Sequence, residues 1–397
     1  MGSHAHTVEK PTTAHAHQSG PTFFISAAEP SADVHGASLI RAVRAKSPEA
    51  RFIGVAGPRM VEAGCEAIFD MSRHSAMLLD AIGAAGKAIA MFQACNRQLR
   101  SRGFDAAVVI DSPTLHLPLS LRLKAAGIPV LYFIAPQLWA WGKYRVHRLR
   151  ERADKVACIL PFEEKFFRDE GVDARFVGHP LTDALAARPI KAEIVGDFRS
   201  AGVPFITLLP GSRRAVVERM LPDQLEVARR IAQEFPHAAF GVSVANPQVE
   251  PIIRAGVARS SLNVRIHAGE PGELMEAADL VLVTSGTTTL EVAYHEKPMI
   301  VMYRASKVFY HALARWMIYT PHLSLPNILA DRRIVPEFMP VYRSLAPIAD
   351  EAISLLRDLP RRAQMSADLS RVVAPLRSHS ASEKTAEMLL KLAQKHH

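Results

Sequence analysis

The chain is poor in cysteine: Cys65, Cys95 and Cys158 are the only three in 397 residues, and they stand far apart. That argues against a disulfide scaffold and for a reducing cytosol. Long apolar runs are missing too. No uninterrupted stretch approaches the roughly 18 residues of a spanning helix, which argues against an integral membrane protein and leaves a peripheral one open. No apolar stretch stands near the N-terminus, so no secretory signal is expected. Common catalytic signatures are equally scarce. There is no G-x-x-x-x-G-K-[ST], and no G-x-G-x-x-G follows the first apolar run, so neither a P-loop nor the ordinary dinucleotide fingerprint is present. No G-x-S-x-G elbow occurs. There is no Asp-x-Asp pair and no Cys/His cluster with zinc spacing, so no metal site and no cofactor are expected.

What is present supports a folded chain. Apolar residues make up 49%, enough for a core and too many for wholesale disorder. At about 100–200 residues per domain, the length fits two domains. Lys and Arg number 48 against 39 Asp and Glu, a formal charge of +9. The excess is spread thinly, so nucleic acid, anionic lipid and phosphorylated substrates all fit it.

Residues 1–20 carry four histidines and no apolar period, which reads as a disordered tail. From Pro21 short apolar runs alternate with helical stretches: FFIS, RFIGVAG, AAVVID, PVLYFI, KVACIL, RFVGH. The rhythm pauses in a polar segment at 182–203 and restarts with FITLLPG, AAFGVSVAN, VRIHAG, LVLVTSG and PMIVMY. Strand–helix alternation of this kind predicts βαβ units and parallel sheet. The expected layout is an N-terminal domain at 21–185, a second at 200–345, and helices at 346–397 that pack back on the domains. No short internal repeat is evident.

In parallel-sheet domains ligands bind at the carboxyl ends of the strands, so the residues after each run are the candidates. After FFIS come Glu29, Ser31 and Asp33, which read either as helix caps or as a polar acceptor pocket. After AAVVI comes Asp111, placed to accept a proton from a hydroxyl, with capping as the competing explanation. After FITLL come Gly211, Ser212 and Arg213, whose turn amides and guanidinium would attract phosphate. After LVLV come Ser285, Gly286 and Thr287, with Glu291 one turn into the next helix. That combination suits a nucleoside diphosphate, the amides at its phosphates and Glu291 at the ribose hydroxyls. Trp139 and Trp141 lie in one loop after a strand, as core or as a cleft wall. The irregular stretch Ser324–Asn327, followed by Pro336–Phe338, is placed to reach a cleft between domains.

These segments, taken in order, resemble the lipid A disaccharide synthases. The matching stretches are Gly54–Met60, Ile110–Pro113, Pro136–Trp141, Leu160–Glu163, Val177–Pro180, Leu209–Arg213, Ser285–Thr287, Leu290–Glu291, Pro298–Met299, Tyr303–Arg304 and Ser324–Asn327. They span roughly residues 22–340; each is weak and the ordered series is specific. The resemblance implies an α/β protein of GT-B fold, with two Rossmann-like parallel-sheet domains and a cleft between them. It implies an inverting, metal-independent transfer from UDP-2,3-diacylglucosamine to 2,3-diacylglucosamine 1-phosphate (lipid X), giving the β-1,6 lipid A disaccharide 1-phosphate and UDP. It also implies a cytoplasmic enzyme, peripheral on the inner face of the cytoplasmic membrane, and makes nucleic acid a remote partner.

Carried over residue by residue, the resemblance makes Asp111 the general base. Gly211, Ser212, Arg213, Ser285, Gly286 and Thr287 would hold the diphosphate, and Glu291 the ribose. Glu29, Ser31, Asp33, Trp139, Arg304 and Asn327 would meet donor or acceptor. The sequence departs from the family pattern at Ala28 and Ala32, where glycines are usual, at Thr114, usually an acid, and at Val216, commonly Glu. An alanine is costly where a positive φ is needed, so these changes bear on the acceptor or on efficiency.

Substrates with acyl chains require a lipid surface. The segment 306–319 mixes Phe309, Tyr310, Trp316, Met317 and Tyr319 with Lys307 and Arg315, as an interfacial helix would. Phe309 and Trp316 are the expected membrane contacts. Residues 76–92 are similarly apolar, and buried core helices are the competing reading of both. A related enzyme acting on another UDP-amino sugar, and a non-catalytic binding paralogue, are the alternatives. The oligomeric state, including a homodimer, is open.

Overall fold

The structure, a computed structural model, describes residues 20–70, 81–140, 142–304 and 321–394. Residues 1–19 of the expected tail, Trp141, residues 76–80 and the whole of 306–319, with Phe309 and Trp316, lie outside the described residues.

Two all-parallel sheets organise the chain. The first contains β1 (Thr22–Ala27), β2 (Arg51–Ala56), β3 (Cys65–Asp70), β4 (Ala106–Ile110), β5 (Val130–Phe133), β6 (Lys155–Cys158) and β7 (Ala174–Phe176), in the order β3-β2-β1-β4-β5-β6-β7. The second contains β8 (Phe205–Leu209), β9 (Ala239–Val244), β10 (Val264–Ala268), β11 (Leu280–Thr284), β12 (Met299–Met302) and β13 (Glu337–Phe338), in the order β10-β9-β8-β11-β12-β13. This is the α/β, two-unit Rossmann-like arrangement expected.

The central strands are legible because both of their faces are buried. Every residue of β4, β8 and β11 is buried, so they read as continuous apolar runs rather than as alternation. Two outer strands escape that signal. Most of β3, CEAIFD, is exposed or half-buried, and β13 has two residues, both half-buried. The sequence pattern registers neither.

In each sheet the strand order reverses at one point, between β1 and β4 and between β8 and β11. Connections leave to opposite faces there, so a crevice opens beyond the carboxyl ends of the strands. Asp111 stands at the first crevice and the turns after β8 and β11 at the second.

The polar segment expected to link the two sheets is partly helical. The helix Ala192–Arg199 turns Phe198 onto Phe205, with ring centroids 5.7 Å apart, and onto Leu274 and Ala277. A single apolar stripe of Ile194, Val195 and Phe198, set among charges, is enough to attach it to the second sheet.

The last three helices divide between the units. Ala346–Arg357 and Leu359–Arg377 bury Ile348, Leu355, Leu369 and Val373 in the core around the second sheet. Ala381–Gln394 instead buries Ala386, Leu389 and Leu392 against the first. The crossing is tied down: Asp183 accepts from the Ser382 N–H at 3.2 Å and from the Ser380 hydroxyl at 3.3 Å. The Thr182 hydroxyl donates to the Leu376 carbonyl at 3.0 Å.

Candidate active site

In the first crevice, β4 ends in two consecutive residues of left-handed backbone, Asp111 at φ +56° and Ser112 at φ +44°. Non-glycine residues pay about 1–3 kcal/mol for such a conformation unless the surroundings impose it. Here they do. The Asp111 N–H donates to the Phe133 carbonyl at 3.0 Å. The Asp111 carbonyl accepts from the Tyr132 hydroxyl and from His116 Nδ1, both at 2.7 Å. Asp111 is half-buried. Burial raises its carboxyl pKa, the negative charge of Glu29 adds to the rise, and the Ser112 N–H opposes it. The Ser112 hydroxyl donates to Glu29 at 3.2 Å. Ser112 occupies the N-cap of the helix Pro113–Ala125 and makes no side-chain cap bond.

Asp33 is not available to a ligand as the sequence suggested. Its buried carboxylate accepts three backbone N–H groups, from Gly57, Arg59 and Met60, each at 3.0 Å. It therefore caps the helix Pro58–Glu62 rather than its own. The glycine at 57 follows from that contact, since a Cβ there would lie 2.5 Å from the Asp33 carboxylate. Glu29 and Ser31 stay exposed, Glu29 close enough for its charge to act on Asp111. Ala28 and Ala32 are buried without positive φ, so the missing glycines cost no backbone strain there.

The second crevice opens into a cleft of about 1250 Å³. Gly211, Ser212 and Arg213 line it from the turn after β8, and Ser285, Gly286, Thr287 and Glu291 from the turn after β11. Gly211 at φ +108° and Gly286 at φ +140° take conformations that a side chain would strain. The helix Arg214–Glu234 starts at the first turn and the helix Thr288–Tyr294 at the second, so both turns sit at helix N-termini, where an anion is favoured. Behind them, buried Gln224 donates from Nε2 to the carbonyls of Leu209 and Leu282, both at 3.2 Å, which clamps β8 to β11.

Glu291 is pushed up to about 7 by burial and by the charge of Glu270, with Arg188 opposing. Arg188 and Glu270 pair directly, and both line the cleft. The first unit supplies the facing wall through Gln137, Trp139 and Ala140. Trp139 is held by its indole N–H, which donates to Glu163 at 2.9 Å, and by Phe162 edge-on at 4.9 Å.

Two expected contact residues are occupied elsewhere. Asn327 is fully buried: its Oδ1 accepts from Ile334 and Val335 N–H, and its Nδ2 donates to the Val335 carbonyl and Glu337. It holds the strap that carries Leu323, Leu325 and Ile328 to the cleft, and has no atom left for a donor substrate. Arg304 faces Asp223 at 3.4 Å and the ring of Tyr342, outside the cleft lining.

Residues that the sequence did not single out complete the picture. Asn246 donates to the Ser212 carbonyl at 2.8 Å and, with Glu270, follows a strand's carboxyl end. The same rule that found Arg213 points to both. Tyr132, His116 and Arg188 carry no local signal.

The sequence model of the family described as Lipid-A-disaccharide synthetase matches residues 23–392. The Lipid-A-disaccharide synthase of Anaeromyxobacter sp. (strain K) is 37% identical over 376 residues, covering 92% of this chain and 96% of its own. That of Nitrosococcus oceani is 36% identical, covering 87% and 90%. Among solved structures, the glycotransferase of kitacinnamycin matches with a TM-score of 0.63 at 15% identity, over 94% of this chain and 99% of that one. The UDP-GlcNAc 2-epimerase of Neisseria meningitidis bound to UDP-GlcNAc matches with a TM-score of 0.59 at 15% identity, over 93% and 99%. These last two likenesses concern the fold, which is GT-B.

Proposed function

The chain belongs to the Lipid-A-disaccharide synthetase family, and from that premise we propose that it transfers diacylglucosamine from UDP-2,3-diacylglucosamine to lipid X. The product is the β-1,6-linked disaccharide 1-phosphate, and UDP leaves. One observation supports the division of labour most directly: two glycine turns at helix starts and the Glu291 carboxylate converge at one strand-order reversal, and Asp111, with its raised pKa, stands at the other.

In this reading the Asp111 carboxylate takes the proton of the acceptor's 6-hydroxyl as its oxygen attacks the donor's C1 from the face opposite UDP. The C1–O bond to UDP breaks, and negative charge builds on the diphosphate. Arg213 and the N–H groups of the Gly211–Ser212 and Ser285–Thr287 turns neutralise it, an arrangement worth most where water is scarce. Glu291 accepts the ribose hydroxyls, and Trp139 forms the wall that meets the sugar or its acyl chains. Glu29 and Ser31 border the acceptor side. A cleft of about 1250 Å³ exceeds the usual ligand pocket of roughly 300–1,000 Å³, which suits a sugar nucleotide with acyl chains.

Among the described residues no helix is long and apolar enough to cross a membrane. The enzyme would meet its substrates peripherally, at the inner face of the cytoplasmic membrane, through Phe309 and Trp316. Replacing both by Ser lowers liposome binding if this is so.

The decisive experiment incubates the purified chain with UDP-2,3-diacylglucosamine and lipid X and follows disaccharide and UDP. Wild type turns over and Asp111→Ala loses activity by a factor of about 10²–10⁴. Full activity in that variant refutes the base. Turnover of a UDP-amino sugar without lipid X redirects the assignment to an epimerase-like reaction.

A further inference from the structure

We propose that Tyr132 and His116 are positioning residues for Asp111, acting through its backbone carbonyl rather than its carboxyl group. The proposal rests on Asp111 being the base.

Hydrogen-bond polarity fixes the arrangement. The Asp111 carbonyl can only accept, so His116 Nδ1, 2.7 Å away, carries the hydrogen. Nε2 is then the bare nitrogen of a neutral ring, and the Ser26 hydroxyl donates to it at 2.9 Å. Burial supports one neutral tautomer, since it lowers the His116 pKa to about 4. The Tyr132 hydroxyl, 2.7 Å from the same oxygen, likewise donates. Burial and the Asp111 charge hold its pKa well above the ordinary tyrosine value.

Both donors come from rigid, fully buried positions. Tyr132 lies in β5, beside β4, and Ser26 in β1, on the other side. His116 stands one turn into the helix that Asp111 and Ser112 lead into. The carbonyl of a strained residue is thus gripped from a neighbouring strand and from the following helix. That grip opposes the return of φ at Asp111 and Ser112 to the ordinary negative range, which would swing the carboxyl group away from the crevice.

A purely structural role predicts lower stability with unaltered chemistry, so the test reads chemistry. Steady-state kinetics with UDP-2,3-diacylglucosamine and lipid X are measured across pH on Tyr132→Phe, His116→Gln, His116→Asn and Asp111→Ala, with thermal unfolding alongside. The Asn amide nitrogen takes the place of Nδ1, whereas the Gln nitrogen takes that of Nε2. Tyr132→Phe and His116→Gln should each lower kcat about 10–100-fold, the scale of a 1 Å misplacement, with donor KM within about twofold. The acid limb of kcat should move to lower pH as the Asp111 carboxyl group regains solvent, and His116→Asn should recover most of the rate. Unchanged kcat and pH profile in Tyr132→Phe and His116→Gln, with Asp111→Ala inactive, overturn the positioning role and leave the base intact. So does a loss that tracks unfolding alone and is not rescued by His116→Asn. An active Asp111→Ala overturns the base itself.

Discussion

The Trp139 indole N–H donates to Glu163 at 2.9 Å, so a cleft wall rests on a carboxylate that is 1% exposed. The other carboxylate oxygen accepts from the Ile159 and Leu160 N–H groups at 3.2 and 3.1 Å. The groups that favour the Glu163 carboxylate are these three N–H donors. Three neutral donors do not offset its desolvation, and the pKa rises from 4.5 to about 7.

The sign of the consequence follows from linkage. The folded protein retains the Glu163 proton where the unfolded chain has lost it, so stability falls as pH rises from about 4.5 to about 7. The full effect is of order 3 kcal/mol at 1.36 kcal/mol per pKa unit. Urea unfolding at about pH 5 and pH 8 should show that loss in wild type and a shallower one in Glu163→Gln, whatever the variant's absolute stability. Equal slopes would contradict the assignment.

Asn327→Ala strands buried groups at Ile334, Val335 and Glu337. Each unsatisfied buried group costs about 1–3 kcal/mol, so a loss of about 3 kcal/mol or more is expected in denaturant unfolding. UDP affinity at a temperature where the variant is folded should change by less than about threefold. A large affinity loss at unchanged stability would reveal direct ligand contact.

Arg213 is exposed and lines the cleft. Arg213→Ala should leave stability within about 0.5 kcal/mol of wild type. It should weaken UDP binding about 10–100-fold, the worth of a charged hydrogen bond, with Arg213→Lys intermediate. Calorimetric titration with UDP checks both; equal affinities would remove Arg213 from the diphosphate site.

Burial and the charge of Glu270 push the Glu291 pKa up to about 7, and the ribose role proposed for it requires the carboxylate. Wild-type UDP affinity should therefore fall as pH drops below about 7, more steeply than in Glu291→Gln, which has no charge to lose. Because Arg188 lowers the Glu291 pKa, Arg188→Ala should move the midpoint upward. Parallel pH profiles in wild type and Glu291→Gln would exclude the role.

Much of this architecture is legible in the sequence. The buried central strands are continuous apolar runs, and the turn after each is marked by a change to small or polar residues, as at Asp111, Gly211 and Ser285. Of the edge strands, β7 and β10 overlap the runs RFVGH and VRIHAG, whereas β3 and β13 are not legible, because exposed or half-buried residues carry little apolar signal. Side chains whose partners lie far away in sequence are not legible either. Asp33 has the look of a cap or an acceptor contact for its own loop, yet its three donors sit at 57–60. Asn327, in a motif that matches the family, is consumed by residues 334–337.

The sequence by itself determined the α/β class, the family and which loops are candidates for chemistry, since these follow from local periodicity and from residue types in fixed order. Only the tertiary structure decided which of those loops meet. Strand order places β1 beside β4 and β8 beside β11 across intervals of about eighty residues, an outcome of sheet pairing that no local pattern encodes. It also decided what each polar group is free to do. Whether a carboxylate or amide faces a ligand or a backbone depends on which distant N–H groups reach it, and burial then fixes its charge.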